Sequence, residues 1–547
     1  MFTKTNYFVS IFFLICFLAC KDHKEQKEIK KIFSYNEMAV VTSLDPAAAS
    51  NFENIWPVNQ IFNGLVQMDD ELNVLPSIAK KFSISSDGLV YTFDLRTDVF
   101  FHANPCFTKG EGRKVIAKDF VFSFTRLFDS KVSSATTLLN CIDRSEKTNY
   151  KGFEAINDST FKIHLTKPYS AFLNILTMKY FSVVPHEAID YYGESFRTNP
   201  VGTGPFTFKK WEEGTRIILQ KNPNYFERDE KNERLPYLDG VNISFIKDRE
   251  TAFMELLNGK FDMLSGADAF NTMEVLTRDA ELKDTYQKRF YLQKTTFLKT
   301  DYIGILLDEK IDYVKNSPLR FKAIRQAINY AFDREKLVKY IRNGIGVPAT
   351  CGFIPKGMRS YNPAVVKGYY YDPNKVKQLL AEAGYPNGEN LPELVIHAAD
   401  NFKEALEFIQ SQLGQNNIKV QISIEKPSVL KQAVNACEYN LFKKSWVGDY
   451  GDEENFMNLF YSKNFAPQGV NYFHYNNPKF DDLYEKALVA TTDSAKIDLY
   501  QKMEMLIIDD APVIPLYYDE VIRIVDKNIS GLSINPMNLL NLKTVRK

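Results

Sequence analysis

Histidine, cysteine and tryptophan are scarce in this sequence, with six, six and three among 547 residues. So few histidines leave little material for a catalytic zinc, and no pair stands at metal-ligand spacing. "HEAID" (186–190) comes within one residue of a zincin H-E-x-x-H, but Asp190 fills the second histidine position. No C-x-x-C pair occurs. Cys106, Cys141, Cys351 and Cys437 are too few for a disulfide scaffold in so long a chain. An oxidising compartment would let Cys106 bridge Cys141, its nearest neighbour in sequence, and free buried thiols are the alternative. Net charge is also missing, with 68 basic and 68 acidic side chains and no basic block, which argues against nucleic acid. No G-x-S-x-G elbow is present, and "SIAK" (77–80) lacks the S-D-N and K-T-G partners of its S-x-x-K pattern. The expectation is a protein without catalytic residues, metal or cofactor.

Beyond the N-terminus no run approaches the roughly 20 apolar residues of a membrane span. The N-terminus itself, "MFTKTNYFVSIFFLICFLAC", couples Lys4 to a short apolar core and small Ala19, as a secretory signal does. Its end, Phe17-Leu18-Ala19-Cys20, resembles the lipobox of bacterial lipoproteins, in which cleavage leaves a lipidated cysteine first. A charged stretch, "KDHKEQKEIKK", follows at once and suits a tether. Acyl chains gain about 0.8 kcal/mol per buried methylene, so an acylated Cys20 would hold a water-soluble protein at a membrane. Without residues 1–19 the chain carries 67 basic and 68 acidic groups, a net charge of −1.

From residue 32 onwards, strand and helix patterns mix without a single βαβ period, which predicts an α/β chain of several sheets. In "GLVYTFDLRTDVFFH", Val90, Thr92 and Asp94 alternate with Tyr91, Phe93 and Leu95, the mark of a half-buried strand. "AKDFVFSFTRLF" spaces Phe120, Phe124, Leu127 and Phe128 for a helix. "FKAIRQAINYAFDREKLVKYI" reads as one amphipathic helix through Ile324, Ala327, Ile328, Ala331 and Leu337. "PNKVKQLLAEAGYP" is another, stopped by Gly384 and Pro386. Gly202 and Gly204 in "NPVGTGPF" lack the lysine of a phosphate loop and read as a turn entering a strand.

Taken in order, these segments resemble the solute-binding proteins of ABC importers, in the family of dipeptide- and oligopeptide-binding proteins. The resemblance is carried by "SLDPAAA", "IFNGLV", "LPSIAKKFSISSDGLVYTFDLRTDVFFH", "VIAKDFVFSFTRL" and "NPVGTGPFTFKKWEEGTRIILQKNPNYF". It continues through "LPYLDGVNISFI", "NGKFDML", "RQAINYAFDRE", "YDPNKVKQLLAEAGYP", "SWVGDY" and "VIPLYY". It implies a two-lobed periplasmic-binding-protein fold of the cluster C type, with an extra subdomain on the first lobe. Residues 1–19 would be the signal and 20–31 the lipidated cysteine and tether. Lobe I would take 32–64, 186–290 and 519–547, the extra subdomain 65–185, and lobe II 291–518. The implied partners are a short peptide, a permease and ATPase complex, and a membrane reached through the lipid. One copy would act alone on the periplasmic side of the cell envelope. A binding lipoprotein for a non-peptide solute, or one that senses without transport, is the alternative.

The stretch "SWVGDYGDEENFMNLF" (445–460) places four acids among aromatic rings. Asp452, Glu453 and Glu454 precede a helical pattern, so Asp452 reads as an N-cap and the glutamates as first-turn charges. Asp449 is left over. The resemblance gives it the α-ammonium of a peptide, through the family's Trp-x-x-Asp-Tyr stretch, with Trp446 and Tyr450 as walls; a simple turn cap is the plainer alternative. By the same resemblance Lys443 and Arg342 would meet the peptide carboxylate, while Phe402 stands where the family has a histidine. Solvated charge is their plainer reading. The strand edge "ASNFEN" (49–54), with Asn51 and Phe52, and "KKSWVG" would pair with peptide main chain.

Overall fold

The computed structural model describes residues 30–145 and 152–547. The expected signal, Cys20 and most of the tether lie outside the described residues.

One eleven-stranded sheet runs through the whole molecule. Its far edge is built from Val420–Glu425, Leu394–Ala399 and Leu441–Val447, and its near edge from Met263–Ser265, Ile32–Asn36, Gly240–Ser244, Arg216–Lys221 and Phe206–Glu212. Two long antiparallel strands, Phe290–Ile305 and Val513–Asp526, join the two edges. Residues 290–296 pair with 520–526 beside the near edge; residues 299–305 pair with Leu441–Val447 at the far edge. Pairing between the long strands is interrupted between Thr296 and Thr300, where each strand passes from one lobe to the other.

The cores follow this division in the main, with Tyr450 reaching into the first-lobe cluster and Leu72 into a second-lobe one. Phe33, Tyr35, Ile61, Phe206 and Ile243 belong to one buried cluster that also takes in Phe93, Phe120, Phe124 and Phe161. Those last four come from the subdomain, from the helix Ala117–Arg126 and from a sheet that orders its strands as Ala79–Ile84, Val90–Leu95, Thr160–His164 and Phe153–Asn157. The subdomain therefore shares the core of the first lobe. Ile303, Ile324, Leu380, Ile396 and Ile409 form a separate core in the second.

Local chemistry accounts for the elements. In Val90–Leu95, Tyr91, Phe93 and Leu95 are buried and the alternate residues are not. The helix Ala117–Arg126 buries Phe120 and Phe124, and Pro373–Glu382 begins where Asp372 accepts from the amides of Asn374 and Lys375. Gly202 and Gly204 press on the end of the helix Phe52–Ile61; a Cβ on Gly204 would meet Ile61 C at 2.5 Å.

Two expectations are corrected. The stretch 321–341 is not one helix: Lys322–Tyr330 ends at Ala331, and Asp333 restarts the chain by accepting from Lys336 N at 3.0 Å. Arg334 is then buried, with its guanidinium on Pro515 O (2.7 Å) and Asn329 O (2.8 Å). Cys106 and Cys141 do not bridge, and all four described cysteines are free thiols. No described helix is long and apolar enough to cross a membrane.

Candidate binding cleft

A cavity of about 400 Å³ lies where the first lobe, the subdomain and the second lobe meet. The first lobe contributes Asn51, Phe52 and Glu53, the subdomain Lys179 and Tyr180, and the second lobe Asp449. Its size falls within the roughly 300–1,000 Å³ of small-molecule sites.

Each wall is fixed by its own hydrogen bonds. Asn51 and Phe52 do not form the expected strand edge; Asn51 precedes the helix Phe52–Ile61, and its side chain caps nothing. That helix is strapped to the C-terminal segment, with Trp56 Nε1 donating to Asn538 O and Gln60 Nε2 to Leu540 O, both at 2.8 Å. The strap brings Met537 and Leu539 to the cavity.

Asp449 follows the strand Leu441–Val447, which the sequence pattern anticipates. Buried Asn455 arranges this corner. Its Oδ1 accepts from Trp446 Nε1 and from Asp449 N, each at 3.1 Å, and its Nδ2 reaches Asp449 Oδ2 at 3.4 Å. Asn455 was not singled out from sequence, because an asparagine in a helix gives no signal of the loop it holds. No described cation pairs with the Asp449 carboxylate. Its exposed surface looks into the cavity, and the surrounding protein strips enough water to push its pKa up, against the smaller effect of Asn455.

Trp446 and Tyr450 are not among the residues that line this cavity. The indole N–H of Trp446 is committed to Asn455, and the Tyr450 hydroxyl donates to Glu454.

Lys443 and Arg342 are also placed otherwise than expected. Lys443 is fully buried, neither a cavity group nor a solvated charge, with Nζ 2.6 Å from Asp301 Oδ1 and 2.9 Å from Lys444 O. Arg342 reaches Asp519 at 2.6 Å and Tyr517 Oη at 3.1 Å. Lys299 joins the two pairs, 2.7 Å from Asp519 and 3.4 Å from Asp301. The strand register explains this network: Ile303 lies opposite Lys443 and Asp301 opposite both Ser445 and Tyr517.

The three acids after Asp449 are buried and do more than serve a helix end. Asp452 accepts from Glu454 N at 3.0 Å, as a cap would, but also meets Lys496 Nζ at 2.5 Å and Tyr500 Oη at 3.2 Å. Glu453 accepts from Ser360 N at 2.8 Å. Glu454 accepts from the hydroxyls of Tyr450, Tyr484 and Tyr169, the last at 3.0 Å from the subdomain. Ser170 adds a cross-lobe bond from its amide to Leu488 O at 2.8 Å.

Two lobes sharing a paired ribbon and closing on a solute-sized cavity define a periplasmic binding protein. The sequence model of the bacterial extracellular solute-binding proteins, family 5 middle, matches residues 73–468, and the chain belongs to that family. It is therefore a solute-binding component of an ABC importer on the extracytoplasmic side. Among its relatives is the glutathione-binding protein GsiB of Escherichia coli O1:K1, 27% identical over 505 residues and 90% of each chain. Similar structures include HbpA2 of Haemophilus parasuis, with TM-score 0.79 and 25% identity over 94% of this chain and 99% of that one. Another is DppA of Helicobacter pylori, an ABC transporter-associated periplasmic binding protein in complex with the peptide STSA. Its TM-score is 0.75 at 28% identity, over 95% of this chain and 99% of that one.

Proposed function

We propose that the protein captures short peptides in the interlobe cavity, with the peptide's α-ammonium on Asp449, and delivers them to its importer. A lipid on Cys20 tethers it to the membrane, and one copy works alone. The observation that carries this reading is a carboxylate on the cavity wall that no described cation pairs with. An ammonium has three donors and no acceptor, so it needs such an anion once a closing cleft removes its water. Peptide in the related DppA supports the ligand class.

The test is calorimetry with free and N-acetylated peptides. Asp449→Ala is expected to weaken binding of a free peptide by about 2–5 kcal/mol, as for a truncated buried charge pair. Acetylation should weaken binding to the parent equally. Equal affinity of the parent for both forms removes Asp449 from this role. Mass spectrometry of the N-terminal fragment checks the lipid, which Cys20→Ser should abolish.

A glutathione-type ligand is the second reading, favoured by the similarity to GsiB along most of both chains.

A further inference from the structure

If an ammonium sits on Asp449, the ligand's other end needs a partner, and the two bases expected for it are already taken. Lys443 is held by Asp301 and Arg342 by Asp519. One basic side chain does line the cavity. Lys179 lies in the short turn Lys179–Phe181 of the subdomain, beside Tyr180.

No described residue forms an ion pair or hydrogen bond with its ammonium. The neighbouring charge it feels most is another cation, Lys543, which is already neutralised by Glu227 at 2.5 Å and Gln67 at 2.9 Å. Burial and that like charge together push the Lys179 pKa down to about 8. A half-buried cation without a counter-ion is costly to keep, and a carboxylate arriving in the cavity relieves the cost.

The other charges on the lining set the ligand's balance. Asp69 spends its oxygens on Glu71 N (3.0 Å), Asn73 N (2.7 Å) and Asn73 Nδ2 (3.0 Å). Those bonds leave its charge in place, and neither Glu53 nor Asp449 pairs with a described cation. One cation faces three carboxylates, so a ligand with one carboxylate and at least one ammonium fits. A diacid has no second base to meet and three acids to oppose it.

We infer that Lys179 holds the ligand's single α-carboxylate, so that the cavity selects short peptides with both ends free over diacids such as glutathione. This rests on the peptide reading above. Lys179 belongs to the subdomain and Asp449 to the second lobe, so one bound peptide ties the two together. That differential contact is what a ligand needs to favour the closed state.

The test uses a panel of neutral di- and tripeptides, each as free acid, C-terminal amide and N-acetyl form, with glutathione alongside. Calorimetry on the parent is expected to show amides bound at least about 30-fold more weakly than free acids. Lys179→Met should lose that distinction and bind free acids as weakly as amides, while Lys179→Arg should keep it. Thermal melts confirm that both variants fold. Should Lys179→Met still prefer free acids as the parent does, another group holds the carboxylate and the proposal falls. A parent sensitive to acetylation but not to amidation overturns Lys179 and leaves the peptide reading intact. Glutathione bound more tightly than every neutral peptide overturns the charge argument, and no peptide bound in any form overturns both readings.

Discussion

Lys443 Nζ stands 2.6 Å from Asp301 Oδ1 with both side chains shut off from solvent, beside the place where the long strands change lobes. Burial alone would raise the Asp301 pKa, but Lys299, Lys443 and Arg342 outweigh it and hold the carboxyl well below the usual range. Burial lowers Lys443 to about 8 against the pull of Asp301. The ion pair is structural. Lys443→Met is expected to cost about 3–5 kcal/mol in urea unfolding, because it takes from a buried carboxylate its closest cation. Ligand affinity of the folded variant should stay within about twofold of the parent. A stable variant with lost binding would return Lys443 to the ligand site.

The bond from Tyr169 Oη to Glu454 Oε2 crosses from the subdomain to the second lobe, whereas those from Tyr450 and Tyr484 stay within that lobe. Removing the crossing bond should act on closure. Tyr169→Phe is expected to weaken ligand binding by about 0.5–1.5 kcal/mol, the net worth of one hydrogen bond. The unfolding midpoint should barely move. Tyr450→Phe should instead lower the midpoint and leave affinity alone. If the two variants behave alike, the crossing bond has no special part in closure.

Glu504 is fully buried, accepts from Ile354 N at 2.7 Å through Oε1, and has no partner at Oε2. Burial pushes its pKa up to about 8 from an ordinary 4.5. Between those two values the folded protein keeps a proton that the unfolded chain has released, so stability falls as pH rises. Glu504→Gln preserves the acceptor and removes the titration. Across pH 5 to 8 the parent should lose up to about 1.4 kcal/mol per pH unit relative to the variant. Urea midpoints at pH 5, 6.5 and 8 check this; parallel curves would mean that Glu504 keeps an ordinary carboxyl.

Much of the architecture could be read from local pattern. Alternation found the strand Val90–Leu95, spacing found the helices Ala117–Arg126 and Pro373–Glu382, and "YNLFKKSWV" read as the strand that the structure places at Leu441–Val447. These signals rest on neighbours in sequence. The continuous helix expected over 321–341 failed because Asp333 makes a local bond that periodicity does not register. The acids at 452–454 read only as a cap and first-turn charges because their other partners, Ser360, Tyr484, Lys496, Tyr500 and Tyr169, lie far away along the chain. Lys179 drew no attention for the same reason. Nothing in "TMKYFS" says that this lysine lines a cavity and has no described anion as partner.

The shared strands Phe290–Ile305 and Val513–Asp526 give the jaws a particular freedom. Two separate flexible tethers would let the halves swing and slide in many directions. Here the ladder is paired on both sides of the crossing and broken between Thr296 and Thr300, so each lobe is held in register on its own stretch of ladder and the unpaired stretch is where one can turn against the other.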